Sequence, residues 1–266
     1  MMSSIRSQGD LPRVHQMERT AARLQRTSQQ LASGRRIATA ADDAAGLAIA
    51  QRLAAAVRGS AQGERNLADG QSLARVADGA METSQDNLAR MRELAVQAQN
   101  GTLSAADRAT IQQEYDGLAA QLDQTAGAAD FAGRSLLDGS ASGADAIVVR
   151  DGSGGDHAVD LPDLRAAALG VAGRTVADPA TVQALDAASA QLASARGRLG
   201  SADHAFGSHM AQLGAGAIAA EAARSRIEDA DVAMAVAEQT RDRILLGLQI
   251  HGSRSAARRQ LLDRMG

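Results

Sequence analysis

Ser33-Gly34-Arg35-Arg36-Ile37-Ala38-Thr39-Ala40-Ala41-Asp42-Asp43-Ala44-Ala45-Gly46 closes one helical pattern and opens another. Upstream, small or apolar residues recur at Val14, Met17, Ala21, Leu24, Ser28 and Leu31 in alternating steps of three and four, the spacing of a coiled-coil seam. Gly34 follows that seam, where glycine can take the left-handed turn that ends a helix, and Asp42 and Asp43 stand where acids favour the start of the next. The stretch reads as a helix–turn–helix joint. Downstream, Ile49, Leu53, Ala56, Ser60, Gly63, Leu67, Gly70, Ala74, Ala77, Met81, Ser84, Leu88, Met91 and Ala95 keep the same alternation. One helix over that span is about 70 Å long at 1.5 Å per residue, too long to bury in one compact domain.

Working outward, Asn100-Gly101 ends the long helix, and Ser104 with Asp107 has the spacing of a capping box for another, whose seam is Ile111, Tyr115, Leu118 and Leu122. Ala146–Arg150 and His157–Leu161 flank the Gly-rich Asp151–Asp156 and predict a small β-hairpin, the only strand pair expected. Asp178-Pro179 caps and opens a third long helix with the seam Leu185, Ala188, Leu192, Ala195, Leu199, Ala202, Phe206, His209 and Leu213. A terminal helix offers Ala237, Thr240, Ile244, Leu248 and His251. Neither helical block has enough apolar bulk to stand alone. The expected fold is therefore mainly α: a long antiparallel helical bundle or coiled-coil rod built from both chain ends, with one small β-hairpin.

Composition agrees. Of 266 residues, 45% are hydrophobic, mostly Ala, but only Tyr115, Phe131 and Phe206 are aromatic, which suits helices packed closely along their length rather than a thick interior. No stretch approaches the roughly 20 apolar residues of a membrane span, and Met1–Ser7 lacks the apolar run of a cleavable secretory signal. Without Cys, disulfides and thiolate metal sites are excluded. All 28 basic residues are Arg against 31 acids, a net charge of −3 that carries no nucleic-acid signature.

No catalytic constellation emerges, so no enzyme and no cofactor are expected. The five histidines, His15, His157, His204, His209 and His251, show neither H-E-x-x-H nor an i,i+4 pair; His209 reads as a polar seam residue, the others as exposed, and no metal site is expected. Gly152-Ser153-Gly154-Gly155 has no following Lys or helix and reads as a hairpin turn rather than a phosphate loop. Glu228, Asp229 and Asp231 read as solvated or subunit-bridging acids.

The joint resembles the S-G-x-R-I-x-x-A-x-D-D-A-A-G segment of bacterial flagellins, and Ser225-Arg226-Ile227-Glu228-Asp229-Ala230-Asp231-Val232-Ala233 resembles their S-R-I-E-D-x-D-x-A segment. The resemblance covers most of the chain. It implies an inner terminal coiled-coil domain from residues 1–42 and 235–266, and a helical rod domain over residues 43–234 with the hairpin near 145–162. Ser33, Gly34, Arg36, Ile37, Asp42, Asp43 and Gly46 would form the inter-domain joint. Val14, Met17, Leu24, Leu31, Ile244 and Leu248 would form a terminal seam that orders when subunits bury it.

The implied function is structural: self-assembly into the flagellar filament for motility, outside the cell, without nucleic acid or membrane insertion. Implied partners are the chain itself, an export chaperone on the C-terminal helix during type III export, and the filament cap and hook-associated proteins. Leu88-Ala89-Arg90-Met91-Arg92-Glu93-Leu94-Ala95-Val96-Gln97 is similar to the segment L-Q-R-x-R-E-L-A-V-Q, recognised in the family by the innate flagellin-sensing Toll-like receptor. Leu88, Arg90, Glu93, Leu94 and, on the next helix, Glu114 are the candidate subunit-interface or receptor residues; Arg90, Glu93 and Leu94 lie off the seam.

The termini depart from the family pattern. Gln8–Pro12 predicts a later helix start capped by Asp10, and the Arg-rich stretch 254–264 would alter the helix that lines the export channel. The alternative is a hook–filament junction protein of the same superfamily, which shares the Ser33-Gly34 turn and a stretch like Asn100–Ser104. Asp42–Gly46 and Ile227–Asp229 favour flagellin.

Overall fold

The computed structural model describes residues 11–265, with side chains from Val14 to His251. Asp10 and the basic side chains from Arg254 onward lie outside the described residues. In chain order the elements are α1 (Leu11–Ser33), α2 (Ala44–Ala98), α3 (Ala105–Ala128), β1 (Asp130–Phe131), β2 (Arg134–Ser135), β3 (Ile147–Arg150), β4 (Asp156–Val159), α4 (Pro179–Glu228) and α5 (Val232–Met265), with a single 3-10 turn at Gly143–Asp145. The expected fold class, mainly α with long antiparallel helices and a small β-hairpin, is the one observed, with a second short strand pair besides. The chain divides into two compact units, Val57–Ala217 and the residues on either side of it.

In the Val57–Ala217 unit, α2 and α4 run antiparallel. Arg92 pairs with Asp186 at 2.6 Å, Arg196 with Asp78 at 2.8 Å, and Gln71 Nε2 donates to the Asp203 carbonyl at 3.3 Å, so the register falls along one helix as it rises along the other. The seam of α2 is buried without interruption from Gly63 to Ala95, and that of α4 is buried or half-buried from Leu185 to Leu213. Leu67, Met81, Leu88 and Met91 are fully enclosed, each stabilising the fold by about 1.5–3 kcal/mol over an exposed position. α3 adds Ile111, Tyr115 and Leu122 to the same core, and Ser104 with Asp107 forms the capping box that starts it. Upstream the α2 seam changes: Ile49 and Ala56 are exposed and Ala50 is buried instead.

The hairpin pairs Ile147 with Val159 through Arg150 with Asp156. Its turn lies on α2. A Cβ on Gly63 would stand 1.7 Å from the Asp151 carbonyl oxygen, so only a residue without a side chain admits this approach. A second strand pair, β1 with β2, was not expected. It has two residues per strand and turns on Ala132 (φ 54°) and Gly133 (φ 81°), the positive angles of a type I′ turn. Such short strands have no periodicity to read, and Ala-Gly lacks the Asn-Gly signal.

In the other unit α1 and α5 are antiparallel: Arg23 meets Asp242 at 3.7 Å, and Gln239 Nε2 donates to Ser28 Oγ at 3.0 Å. The contact line differs from the expected seam. Thr20 and Thr27 are buried on α1, with Leu24, Ser28 and Leu31 half-buried beside them, whereas Val14 and Ala21 are exposed. On α5 the line is Ala235, Gln239, Asp242, Leu246 and Gln249, while Ala237, Thr240, Ile244, Leu248 and His251 are exposed. The physical reason is hydroxyl satisfaction. Thr20 and Thr27 donate to the carbonyls of Gln16 and Arg23, at 2.9 and 2.8 Å, and so can be buried despite reading as polar.

Candidate functional site

Two separately coded segments meet at the joint. α1 ends at Ser33, and Gly34 turns with φ +68°. The Gly34 carbonyl accepts from the Ala230 amide at 3.0 Å, and the Arg36 amide donates to the Glu228 carbonyl at 2.7 Å, with Arg35 and Asp229 forming an isolated antiparallel bridge. Arg36 Nη2 donates to the Ile227 carbonyl at 2.7 Å. The last carbonyls of α4, which a helix end leaves without partners, are thus capped by the turn after α1.

The acids divide the remaining capping. Asp43 accepts from the Gly46 amide at 2.9 Å and starts α2; Asp231 accepts from the Met234 amide at 3.0 Å and starts α5. Asp42 accepts from the amides of Thr39 and Ala38 and from the Thr39 hydroxyl, and these bonds, Thr39 first, lower its carboxyl below the usual value. Ile37 is buried, and a Cβ on Gly46 would stand 2.7 Å from its Cδ1. Glu228 is not a solvated acid: it is buried, 2.9 Å from Arg35 and 3.8 Å from Arg224. Its main partner lies at the far end of the sequence, so local composition gave no sign of it.

The Leu88–Gln97 segment separates into two sets. Arg90 donates to Glu114 at 2.8 and 3.1 Å and to Glu93 at 3.0 Å, and all three are exposed. Leu88 and Leu94 are core residues, 0% and 1% exposed. The expectation that Leu94 faces a partner is corrected. α2 meets more than one neighbour along this length, so its buried stripe is wider than a single seam and takes Leu94 together with Ala95.

Large exposed hydrophobics concentrate near the chain ends. On α5 they are Val232, Met234, Val236, Ile244 and Leu248, the last two 58% and 64% exposed. Val232, Val236, Thr240, Ile244 and Leu248 are spaced by four and form one ridge along the helix. Val14, half exposed, stands on α1, whereas Met17, Leu24 and Leu31 are half-buried.

One grouping was missed entirely from sequence. His157 is not exposed, its side chain being only 18% accessible; it lies 3.4 Å from the Asp151 carboxylate, 4.4 Å from the His209 ring and edge-on to Phe206. The two histidines are far apart in sequence, and only the docking of the hairpin on the long helices brings them together.

Helices of this length, with the end of α4 capped by the turn that follows α1, define a helix-built protein. Residues 13–142 match the model of the bacterial flagellin N-terminal helical region and residues 182–251 that of the C-terminal helical region. A flagellin of Halalkalibacterium halodurans is 34% identical over 83% of each chain, and flagellin FlaB1 of Treponema pallidum is 33% identical over 82% of each. The structure of a flagellar hook-associated protein from Vibrio parahaemolyticus shares the fold at a TM-score of 0.60 and 14% identity, over 71% of this chain and all of that one. The chain belongs to the bacterial flagellin family. It is a structural subunit that assembles with copies of itself into the flagellar filament of motility, exported outside the cell, and it is not an enzyme; the junction-protein alternative is the weaker. No helix among the described residues is long and apolar enough to cross a membrane.

Proposed function

We propose that the exposed i,i+4 ridge of α5, with Val14 on α1, is the principal surface through which one subunit buries against the next. The observation that carries this is the position of Ile244 and Leu248: both are more than half exposed on a helix whose intrachain contact line is largely small and polar. An apolar ridge left open in the single chain gains burial only when a neighbour covers it, which couples order at the chain ends to polymerisation. Met17, Leu24 and Leu31 keep α1 against α5 while this happens. Heterologous contacts repeated around the assembly give an open helical polymer.

In this reading residues 1–42 and 235–266 are the inner domain and residues 43–234 the outer one, with Ser33–Gly46 as the joint between them. The open face of α5 also suits an export chaperone during type III export, released as the subunit is added beneath the filament cap next to the hook-associated proteins. Arg90, Glu93 and Glu114 form the exposed charged surface that an innate flagellin-sensing Toll-like receptor or a neighbouring subunit would read. Leu88 and Leu94 support that surface from below.

The test is assembly of purified protein after addition of ammonium sulfate or filament seeds, followed by electron microscopy. The full chain gives long filaments. Deletion of Ile244–Gly266 leaves a soluble helical monomer that does not elongate, and normal filaments from that truncation would sink the proposal.

A further inference from the structure

We propose that Asp151, His157 and His209 form a three-ligand site for a zinc-class divalent metal ion, placed where the turn of the β3–β4 hairpin meets α4. One carboxylate oxygen and one nitrogen from each imidazole all lie within 4.8 Å of one another. Tetrahedral zinc with bonds of about 2.0–2.1 Å sets neighbouring ligand atoms about 3.3 Å apart. The His157 Nε2 to Asp151 Oδ2 distance, 3.4 Å, already matches that edge. The remaining edges close by a side-chain adjustment of His209, whose ring stands 4.4 Å from His157 at an interplanar angle of 57°.

The surroundings orient the donors. Asp151 Oδ1 accepts from the Ser153 amide at 2.9 Å, the Ser153 hydroxyl at 2.9 Å and the Gly155 amide at 2.8 Å, which leaves Oδ2 for the ion. Phe206 meets the His157 ring edge-on at 5.9 Å and fixes its plane. Two imidazoles and one carboxylate suit zinc, nickel or copper; magnesium and calcium favour all-oxygen sets. Three protein ligands leave a coordination position for water. The bound ion ties the hairpin turn to α4 and so braces the unit that carries both.

The test uses the full-length monomer after chelator treatment, titrated calorimetrically with zinc chloride and, separately, with magnesium chloride. One zinc binds per chain, magnesium alone gives no saturable binding, and zinc raises the melting temperature. H157Q and H209Q each weaken zinc by more than about 100-fold, beyond the roughly 10–100-fold lost with an outer-shell partner alone, while H204Q, at an exposed position on the same helix as His209, binds as the wild type does. X-ray absorption of the wild-type zinc complex needs no variant and is expected to show two imidazole nitrogens with oxygen ligands. Absence of saturable zinc binding would overturn the proposal and leave the trio as a metal-free ion pair with a packed imidazole. Unchanged affinity in both H157Q and H209Q, or a zinc shell without two imidazoles, would overturn it equally by placing the ion elsewhere.

Discussion

The Arg36 guanidinium donates to the Ile227 carbonyl at 2.7 Å across 191 residues of sequence. It caps the last turn of α4 from the turn that follows α1. Replacing Arg36 with Ala removes this bond and leaves the Arg36 and Gly34 backbone contacts in place. The site is exposed, so the expected loss is about 1 kcal/mol, that of an ordinary intramolecular hydrogen bond and below the roughly 1.5–3 kcal/mol of buried bonds to charged groups. Hydrogen exchange gives the local readout: the Ala230 amide, which donates to the Gly34 carbonyl, should lose protection in R36A. Undiminished protection there would mean that the backbone contacts hold the joint alone.

Leu94 and Glu93 are neighbours on α2 with opposite environments. Leu94→Ala opens a cavity in a closed core and should cost about 2–5 kcal/mol. Glu93→Ala removes an exposed partner of Arg90, and its cost should stay within about 0.5 kcal/mol because Glu114 retains the guanidinium. Denaturant melts of the two variants decide this; a near-neutral Leu94→Ala would restore Leu94 to the surface.

The long helices, the capping box at Ser104 and the seam from Gly63 to Ala95 were legible because a period of three and four residues over many turns has no other economical explanation. The hairpin was legible for a similar reason, with apolar strands around a Gly-rich turn. The α1–α5 contact line was not, since it uses threonines whose hydroxyls are satisfied inside their own helix and carries Asp242 opposite Arg23. A scale that counts Thr as polar and Ile244 as core selects the wrong faces. Glu228 with Arg35, and Asp151 with His157 and His209, were illegible because tertiary contacts between distant segments create both groupings.

Gly63 tests how closely the hairpin turn depends on α2. Alanine there improves helix propensity by up to about 1 kcal/mol, but its methyl group would stand 1.7 Å from the Asp151 carbonyl oxygen, a backbone atom that cannot rotate away. The clash should win, giving a net loss of about 1–3 kcal/mol as the turn is lifted. Calorimetric melting of G63A measures the sum, and any gain in stability would show that the turn relocates without penalty.

Tyr115 is the only tyrosine, and there is no tryptophan, so phenolate absorbance reports one site. Its side chain is fully buried, and its hydroxyl donates to the Val171 carbonyl at 2.8 Å. Desolvation raises its pKa from 10.0 to about 12, opposed by the charge of Arg174. The unfolded chain therefore releases this proton first. Tyr115's contribution to stability is intact below pH 10 and is lost as pH rises to about 12, on the order of 3 kcal/mol in total. Titration of the folded protein at 295 nm should show a midpoint near 12 or a steep rise coincident with unfolding. A reversible midpoint at 10 with the helical signal unchanged would place the phenol in water and contradict the packing of α3 into this core.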